Sequence, residues 1–134
     1  MKNIAQYIIE NAHNIDIDKL KELCKGLNSK YYVNEGGCIY LAYLIAKKLE
    51  SLNIKFEVNE YFDDKDDPFH ISLVINDIDI NEPENKYDGY VKKRDWNSYK
   101  LMKYNKESED DMGFFWKQKY KKEIRKKINN FFQY

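Results

Sequence analysis

The chain has 134 residues, of which 43% are hydrophobic, so it is long enough for one domain with its own core. Its formal net charge is zero, and no apolar run approaches the roughly 20 residues that a membrane span needs. The sequence reaches Glu10 before any apolar run builds up, which argues against a secretory signal. We therefore expect a cytoplasmic protein whose two cysteines, Cys24 and Cys38, stay reduced.

Charge is unevenly distributed along the chain. Residues 57–88 carry eleven acidic side chains against two lysines, and residues 89–134 carry thirteen Lys or Arg against six acidic side chains. Such an arrangement lets the two parts attract each other, or lets each face a partner. The abundance of Lys, Asn, Ile and Tyr is typical of an A/T-rich genome, such as that of a low-GC bacterium, its phage or its plasmid.

Helical periodicity dominates the first third of the chain. Apolar spacing predicts helices over residues 4–12, over residues 16–27 and from Cys38 to about residue 52. Asn14 or Asp16 is the expected cap of the second helix, which we expect to end at Gly26–Asn28. Cys24 lies in the apolar stripe of that helix, so we interpret it as a small core residue. The predicted buried face of the third helix consists of Leu41, Leu44, Ile45 and Leu49.

A hairpin-connected sheet is predicted next. Residues 54–62 alternate apolar and polar, as a half-buried strand does, and residues 63–68 form a charged turn. Residues 69–75 are more apolar and predict a central strand. Asn76-Asp77 is a tight-turn signal, and a third strand is expected from residue 78 to its stop at Pro83.

Periodicity is weaker in the rest of the chain. We expect a fourth strand around Tyr90–Val91, a short helix near Trp96–Leu101 and a basic amphipathic helix over residues 114–132. The order of helices, antiparallel strands and a final helix predicts an α+β fold. A single domain, 1–134, is expected, with a helical pair in 1–33, the cysteine helix and the strands in 34–91, and a basic, aromatic helical part in 92–134.

Cys38 is the candidate nucleophile. It follows Gly36 and Gly37 at a helix start, where unpaired N–H groups lower a thiol pKa and the glycines leave the approach open. The N–H of Cys38 is an expected oxyanion donor, with Asn34 as a second donor from the loop, although a cap or a turn is an equally natural role for Asn34. The alternative interpretation of this segment is a flexible turn before an ordinary helix that carries a small apolar thiol.

A nucleophilic cysteine needs a base, and the chain contains two histidines. His13 lies in a polar connection, where a surface position is expected. His70 begins the apolar strand, so packing of that strand on the cysteine helix would bring its imidazole to the sulfur; the alternative is an inert residue at a strand edge. Pairing around Asn76-Asp77 places residue 70 nearly across from residues 81–83, with Asn81 beside the ring and Glu82 and Asp79 nearby.

These residues, taken in order, resemble a known pattern. Gly-Gly-Cys at a helix start, HISLVI on a strand and DIN on the next strand are similar to the papain-like cysteine peptidase and transglutaminase-like superfamily. The resemblance covers about residues 34–83 and implies a helix packed on an antiparallel sheet, with Cys38, His70 and Asn81 as a catalytic triad. Two positions depart from the pattern: Ile39 follows the cysteine where many relatives have an aromatic residue, and Tyr32 stands where the usual upstream glutamine would be.

The expected function is a thiol-dependent hydrolase or acyltransferase that acts on an amide or isopeptide bond of a peptide or protein. No cofactor and no metal are expected, because the Cys and His residues are dispersed and the acidic turn lacks the Gly and distal Glu of a calcium loop. The alternative is a non-catalytic binding protein on the same fold, such as a phage or mobile-element inhibitor of a host complex. The basic segment Lys117–Lys127 is either a contact for nucleic acid or an acidic protein, or a solvated helix face.

Overall fold

In a computed structural model of the chain, the described residues are 15–34, 37–84, 88–103 and 118–133, with the backbone alone described at 100–103 and 118–119. The helix predicted at 4–12, His13, Gly36 and residues 104–117 lie outside this part. The described residues form an α+β fold, as predicted. Its elements are helices α1 (Ile17–Tyr31), α2 (Cys38–Ser51), α3 (Trp96–Lys103) and α4 (Gln118–Phe131), and strands β1 (Glu57–Phe62), β2 (Pro68–Ile75), β3 (Ile78–Asp79) and β4 (Tyr90–Arg94).

Helix α1 begins at one of its two predicted caps and runs further than predicted. The Asp16 carboxylate accepts the N–H of Lys19 at 3.0 Å, as an N-cap does. The predicted end at Gly26–Asn28 is wrong, because the helix continues to Tyr31, a core residue that is 4% exposed. Burying an aromatic side chain stabilises the last turn by about 2 kcal/mol, which exceeds the roughly 1 kcal/mol cost of Gly26 inside a helix.

Helix α2 packs on the sheet through the face that its sequence predicts. Leu41, Ile45 and Leu49 are each at most 1% exposed, whereas Leu44 is half-buried. They pack against Ile71, Leu73 and Ile75 of β2 in one core cluster, which also contains Cys24 of α1. Cys24 is 0% exposed, which confirms its interpretation as a core residue. Helix α4 joins the same cluster through Ile124 and Ile128.

The sheet has the strand order β3-β2-β1-β4, and each described pairing is antiparallel. Asn76 and Asp77 form the predicted tight turn with left-handed φ values of 50° and 64°, the conformation that a type I′ hairpin turn needs. Strand β3 is shorter than predicted: after Ile80 donates its N–H to the carbonyl of Leu73 at 3.0 Å, the chain leaves the sheet. This early departure frees the edge of β2 beside Ile71.

The two faces of β2 differ in chemistry. Side chains alternate along a strand, so Ile71 and Leu73 face the α2 core, and His70 and Ser72 lie on the opposite face. Across β1, the register pairs Tyr61 with His70, which places both rings on that second face. The strand register therefore decides which face of the sheet carries His70, the candidate base.

Two glycines provide a matched test of the fold. A Cβ added at Gly89 would lie 1.8 Å from the main-chain oxygen of Phe62, whereas a Cβ at Gly26 would meet nothing within 4 Å. We expect Gly89→Ala to lower the free energy of unfolding by about 3 kcal/mol or more, because β4 cannot then close on β1. Gly26→Ala should raise it by about 0.5–1 kcal/mol. Urea denaturation of both variants measures the difference, and equal effects would contradict the packing of β4.

Candidate active site

Cys38 is the first residue of α2 and lies at the free edge of β2. Its sulfur is directed toward the N–H of Ile71, and the N–H groups of Ile39 and of Cys38 itself also point toward it. The side chain is half-buried and lines a cavity of about 10 Å³, room for about one water molecule. The other lining residues are Leu41, Ala42, Ile45, Ile71, Ser72, Leu73, Ile80 and Asn81.

Burial raises the pKa of the Cys38 thiol above its ordinary value of 9.0, and the three N–H groups oppose this only in part. The sequence predicts the opposite direction, from the helix N-terminus alone. Desolvation outweighs the N–H groups because the sulfur is turned into the sheet edge and away from solvent. The thiol of Cys38 is therefore protonated at neutral pH in this structure.

His70 is 5% exposed and held by main chain. Its Nε2 lies 2.7 Å from the carbonyl oxygen of Asn81, and its ring centroid lies 5.7 Å from that of Tyr61. A carbonyl accepts and cannot donate, so Nε2 carries the proton and the lone pair of the neutral ring is on Nδ1. Burial lowers the pKa of His70 below 6.5, although the Asn81 carbonyl and the charge of Asp79 raise it in part. The imidazole is therefore neutral at neutral pH.

Asn81 lies against His70, as the hairpin geometry predicts, but its side chain has a different partner. Its Nδ2 donates to Oδ1 of Asn34 at 2.9 Å, and Nδ2 of Asn34 donates to Oδ1 of Asn81 at 3.4 Å. Its own N–H donates to Oδ1 of Asp79 at 2.9 Å. The orienting role that the resemblance gives to the Asn81 side chain is thus filled here by the Asn81 main-chain carbonyl.

The expected oxyanion donors are engaged elsewhere. Asn34 pairs with Asn81 through its amide and donates its own N–H to Oδ1 of Asn28 at 2.8 Å. Gly37, which is buried, donates its N–H to the carbonyl of Val33 at 2.6 Å. Gly36 lies outside the described residues. Of the predicted donors, the N–H of Cys38 is the one that points into the region of the sulfur.

Asn81 is close to both of the other candidate triad residues, but the structure does not bring Cys38 and His70 into contact. Asn81 lines the cavity of Cys38 and accepts the hydrogen bond of His70. No hydrogen bond or charge interaction found for either Cys38 or His70 within the described chain involves the other. The reason is that successive side chains of a strand point to opposite faces. The sulfur lies at the N–H of Ile71 on the edge of β2, whereas the side chain of the preceding residue, His70, points to the face opposite that of Ile71.

Two further features border the site. Asp79, 7% exposed, has an Oδ2 that accepts from Tyr61 Oη at 2.5 Å, Ser72 Oγ at 2.7 Å and Asn59 Nδ2 at 3.1 Å. This buried carboxylate is satisfied and braces the face that carries His70. Asp79 is two residues from Asn81, so the sequence itself indicates that Asp79 lies near the site. No sequence pattern indicates that Tyr61 does, because its position depends on the register of β1 and β2.

Tyr99 of α3 is the other neighbour that the sequence does not indicate. Burial raises its pKa most, and the negative charges of Glu60 and of an ionised Cys38 raise it further. Tyr99 also belongs to the core cluster against which Cys38 packs, on the α2 side of the sheet. Residues 89–103 have no clean period, so its position depends on how α3 packs.

Comparison with protein-family models, with curated proteins and with solved structures gives no match to this chain. The resemblance to papain-like or transglutaminase-like proteins is therefore one of residue order and spacing alone, at Gly-Gly-Cys, His70 and Asn81. Within residues 15–34, 37–84, 88–103 and 118–133, no helix has both the length and the apolar character that crossing a bilayer takes.

The hydrogen-bonded amides of Asn34 and Asn81 give a prediction that distinguishes the role of the Asn81 side chain from that of its main-chain carbonyl. Asn34→Ala and Asn81→Ala should each lower the free energy of unfolding by about 1–2 kcal/mol, because each leaves the other amide unpaired. Their double variant should show a coupling of about 1 kcal/mol, whereas Asn81→Ala and the exposed Asn97→Ala should be additive.

The ring of His70 provides the second readout. Its pKa, followed by NMR, should stay below 6.5 in Asn81→Ala, because the carbonyl that holds Nε2 is retained. A return of the pKa to 6.5 or above in that variant would show that the side chain of Asn81 orients the ring.

Proposed function

We propose that the chain is a thiol-dependent hydrolase or acyltransferase of the papain-like or transglutaminase-like kind, acting on an amide or isopeptide bond. Cys38 is the nucleophile and His70 the base. One observation carries this proposal: Asn81 lines the same cavity as Cys38, and its main-chain carbonyl accepts the hydrogen bond of His70. Asn81 is thus a neighbour of both residues, although the side chains of Cys38 and His70 do not contact each other.

The tautomer of His70 supports the assignment of roles. Because the Asn81 carbonyl takes the Nε2 proton, Nδ1 is the nitrogen that is free to accept a proton from the thiol. The pKa of the thiol is raised and that of the imidazole is lowered, so the resting pair is neutral. The proton therefore moves to His70 as the sulfur attacks, as in general-base catalysis, without a preformed thiolate–imidazolium pair.

The reaction follows from these roles. Cys38 Sγ bonds to the carbonyl carbon of the substrate while its proton passes to His70 Nδ1, and the N–H of Cys38 at the helix start stabilises the oxyanion. The C–N bond then breaks, and the leaving amine takes the proton from His70. Water or an acceptor amine attacks the acyl-thioester and returns the thiol.

Attack requires one local movement. The sulfur has to leave the N–H of Ile71 and turn out of its 10 Å³ cavity, which is too small for any substrate. The proposal requires rotation about the Cα–Cβ bond of Cys38 to carry the sulfur from the N–H of Ile71 toward His70, whose side chain lies on the opposite face of β2. Hydrogen bonds of a catalytic pair are commonly long or absent without substrate and form in the complex.

Alkylation kinetics test the nucleophile and the base together. In the folded protein, iodoacetamide should modify Cys38 faster than Cys24, which is 0% exposed and whose pKa burial raises to about 12. The rate at Cys38 should hold a plateau from near pH 6.5 to pH 9, because His70 is neutral there, and should fall on the acid side as the ring protonates. His70→Gln should lower the alkylation rate on that plateau about 100-fold. The increase in rate above pH 9, where the thiol of Cys38 ionises without help from a base, should remain in this variant.

Mass spectrometry measures the alkylation rate of each cysteine, and the Cys38→Ala variant is the control that lacks the proposed nucleophile. The enzyme proposal fails if Cys38 reacts no faster than Cys24. It also fails if His70→Gln leaves the neutral plateau unchanged, because the imidazole then does not assist the thiol.

A second candidate function is a non-catalytic binding protein on the same fold. Two observations favour it: the protonated Cys38 thiol lines a cavity of only about 10 Å³, and helix α4 exposes Lys122, Lys126 and Lys127. A row of exposed ammonium groups attracts nucleic acid or an acidic protein surface. Of the segment Lys117–Lys127 predicted for this contact, Lys117 lies outside the described residues.

The two functions differ in what Cys38→Ala does. A binding protein should keep its full capture of an acidic partner or of nucleic acid in this variant. Replacing Lys122, Lys126 and Lys127 together by Gln should weaken capture at least tenfold and reduce its dependence on salt. Salt-dependent pull-downs measure both, and capture that depends on Cys38 would rule out the binding function.

A further inference from the structure

A second cavity, of about 190 Å³, lies between α1 and the segment that follows β3. It is adjacent to the cavity of Cys38, because Ile80 and Asn81 line both. The residues around it are mostly polar: Lys21, Lys25, Asn28, Asn34, Ile80, Asn81, Glu82 and Glu84. The Asn34–Asn81 amide pair therefore forms part of the wall nearest to the sulfur.

The charges of this cavity are separated by sign. Lys21, Lys25 and Asn28 follow each other at helical spacing, so α1 presents them on one face. Both lysines are exposed, and within the described part of the chain neither forms a salt bridge. Glu82 and Glu84 lie on the other side, in the segment after β3. A small cavity with cations on one wall and anions on the other matches a ligand that carries both charges.

We propose that this cavity binds a zwitterion of the size of one amino acid. Its carboxylate binds between Lys21 and Lys25, and its ammonium group faces the wall that carries Glu84. The volume of 190 Å³ is below the roughly 300 Å³ at which pockets for drug-sized ligands begin, so a single residue fits and a long peptide does not.

The amide pair offers the ligand a further contact. Of its two hydrogen bonds, Nδ2 of Asn34 to Oδ1 of Asn81 is the longer, 3.4 Å against 2.9 Å. A carboxylate oxygen in the cavity can take over that donor with little loss, because charge-assisted hydrogen bonds are stronger than bonds between neutral amides. Resting on the proposed enzyme function, the inference names the substrate class: a side-chain amide or isopeptide whose amino-acid portion keeps both its α-carboxylate and its α-ammonium group and occupies this cavity beside Cys38.

Binding can be measured without catalysis. We expect L-alanine, L-glutamine or L-lysine to shift the backbone NMR signals of Asn28, Asn34 and Asn81 in the full chain, in wild type and in Cys38→Ala alike. Alaninamide, which lacks the carboxylate, and N-acetylalanine, which lacks the ammonium group, should bind at least tenfold more weakly. The double variant Lys21→Ala/Lys25→Ala should lose about tenfold or more in affinity.

The matched control is Lys122→Ala/Lys126→Ala, which removes two exposed lysines at the same spacing from α4. It should bind as wild type does. The inference is overturned if none of the three amino acids shifts these signals, if alaninamide binds as well as alanine, or if both double variants lose affinity equally.

The outcomes also separate the two proposals. Amino-acid binding with no His70-dependent reactivity of Cys38 would support the cavity and reject the enzyme. Assisted reactivity of Cys38 without amino-acid binding would support the enzyme and reject the cavity.

Discussion

The hydrogen bond from Nε2 of His70 to the carbonyl of Asn81 links the central strand to the point where the chain leaves the sheet. Strand β3 ends at Asp79, so the next residues are free to turn across the end of the hairpin. Their turn brings one backbone carbonyl to the imidazole and the adjoining side chain to Asn34. The geometry of the candidate site depends on this departure, because a longer β3 would cover the edge of β2 where Cys38 lies.

Burial determines the electrostatics of the site more than the helix start does. A thiol at a helix N-terminus is expected to ionise readily, yet the pKa of Cys38 is raised, because desolvation opposes the N–H groups and is the larger effect. The same physics lowers the pKa of His70. A neutral thiol and a neutral imidazole lose less hydration on burial than two charged groups would, so the resting state suits a buried site.

In our proposals, the chemistry and the recognition occupy two cavities on either side of Asn81. The inner cavity is small and lined by apolar residues apart from Cys38, Ser72 and Asn81, whereas charged and amide side chains line most of the outer cavity. An amide that reaches both can present its charged end to α1 and its carbonyl to the sulfur. The side chains of Asn34 and Asn81 lie between the two cavities and are joined by two hydrogen bonds, of 2.9 Å and 3.4 Å. The longer of these hydrogen bonds is the weaker one.

Local sequence patterns determined most of the elements and the order of the candidate residues. The apolar face of α2, the turn at Asn76-Asp77 and the core role of Cys24 follow from periodicity, left-handed turn residues and burial preference, all of which act over a few neighbours. Hairpin pairing around that turn also predicted that Asn81 lies near His70, but the contact itself is made after the chain has left the sheet. The end of α1 was not predictable from Gly26, because the contacts of Tyr31 with distant elements decide it.

Tertiary structure alone decided which atoms meet. Strand parity put His70 and the Ile71 face on opposite sides of β2, and the packing of α2 turned the Cys38 sulfur to a backbone N–H. The positions of Tyr61 and Tyr99 depend on register and helix packing, which join residues far apart in the chain. Sequence spacing specifies neighbours along one element; side-chain direction, desolvation and pKa depend on everything that packs around them.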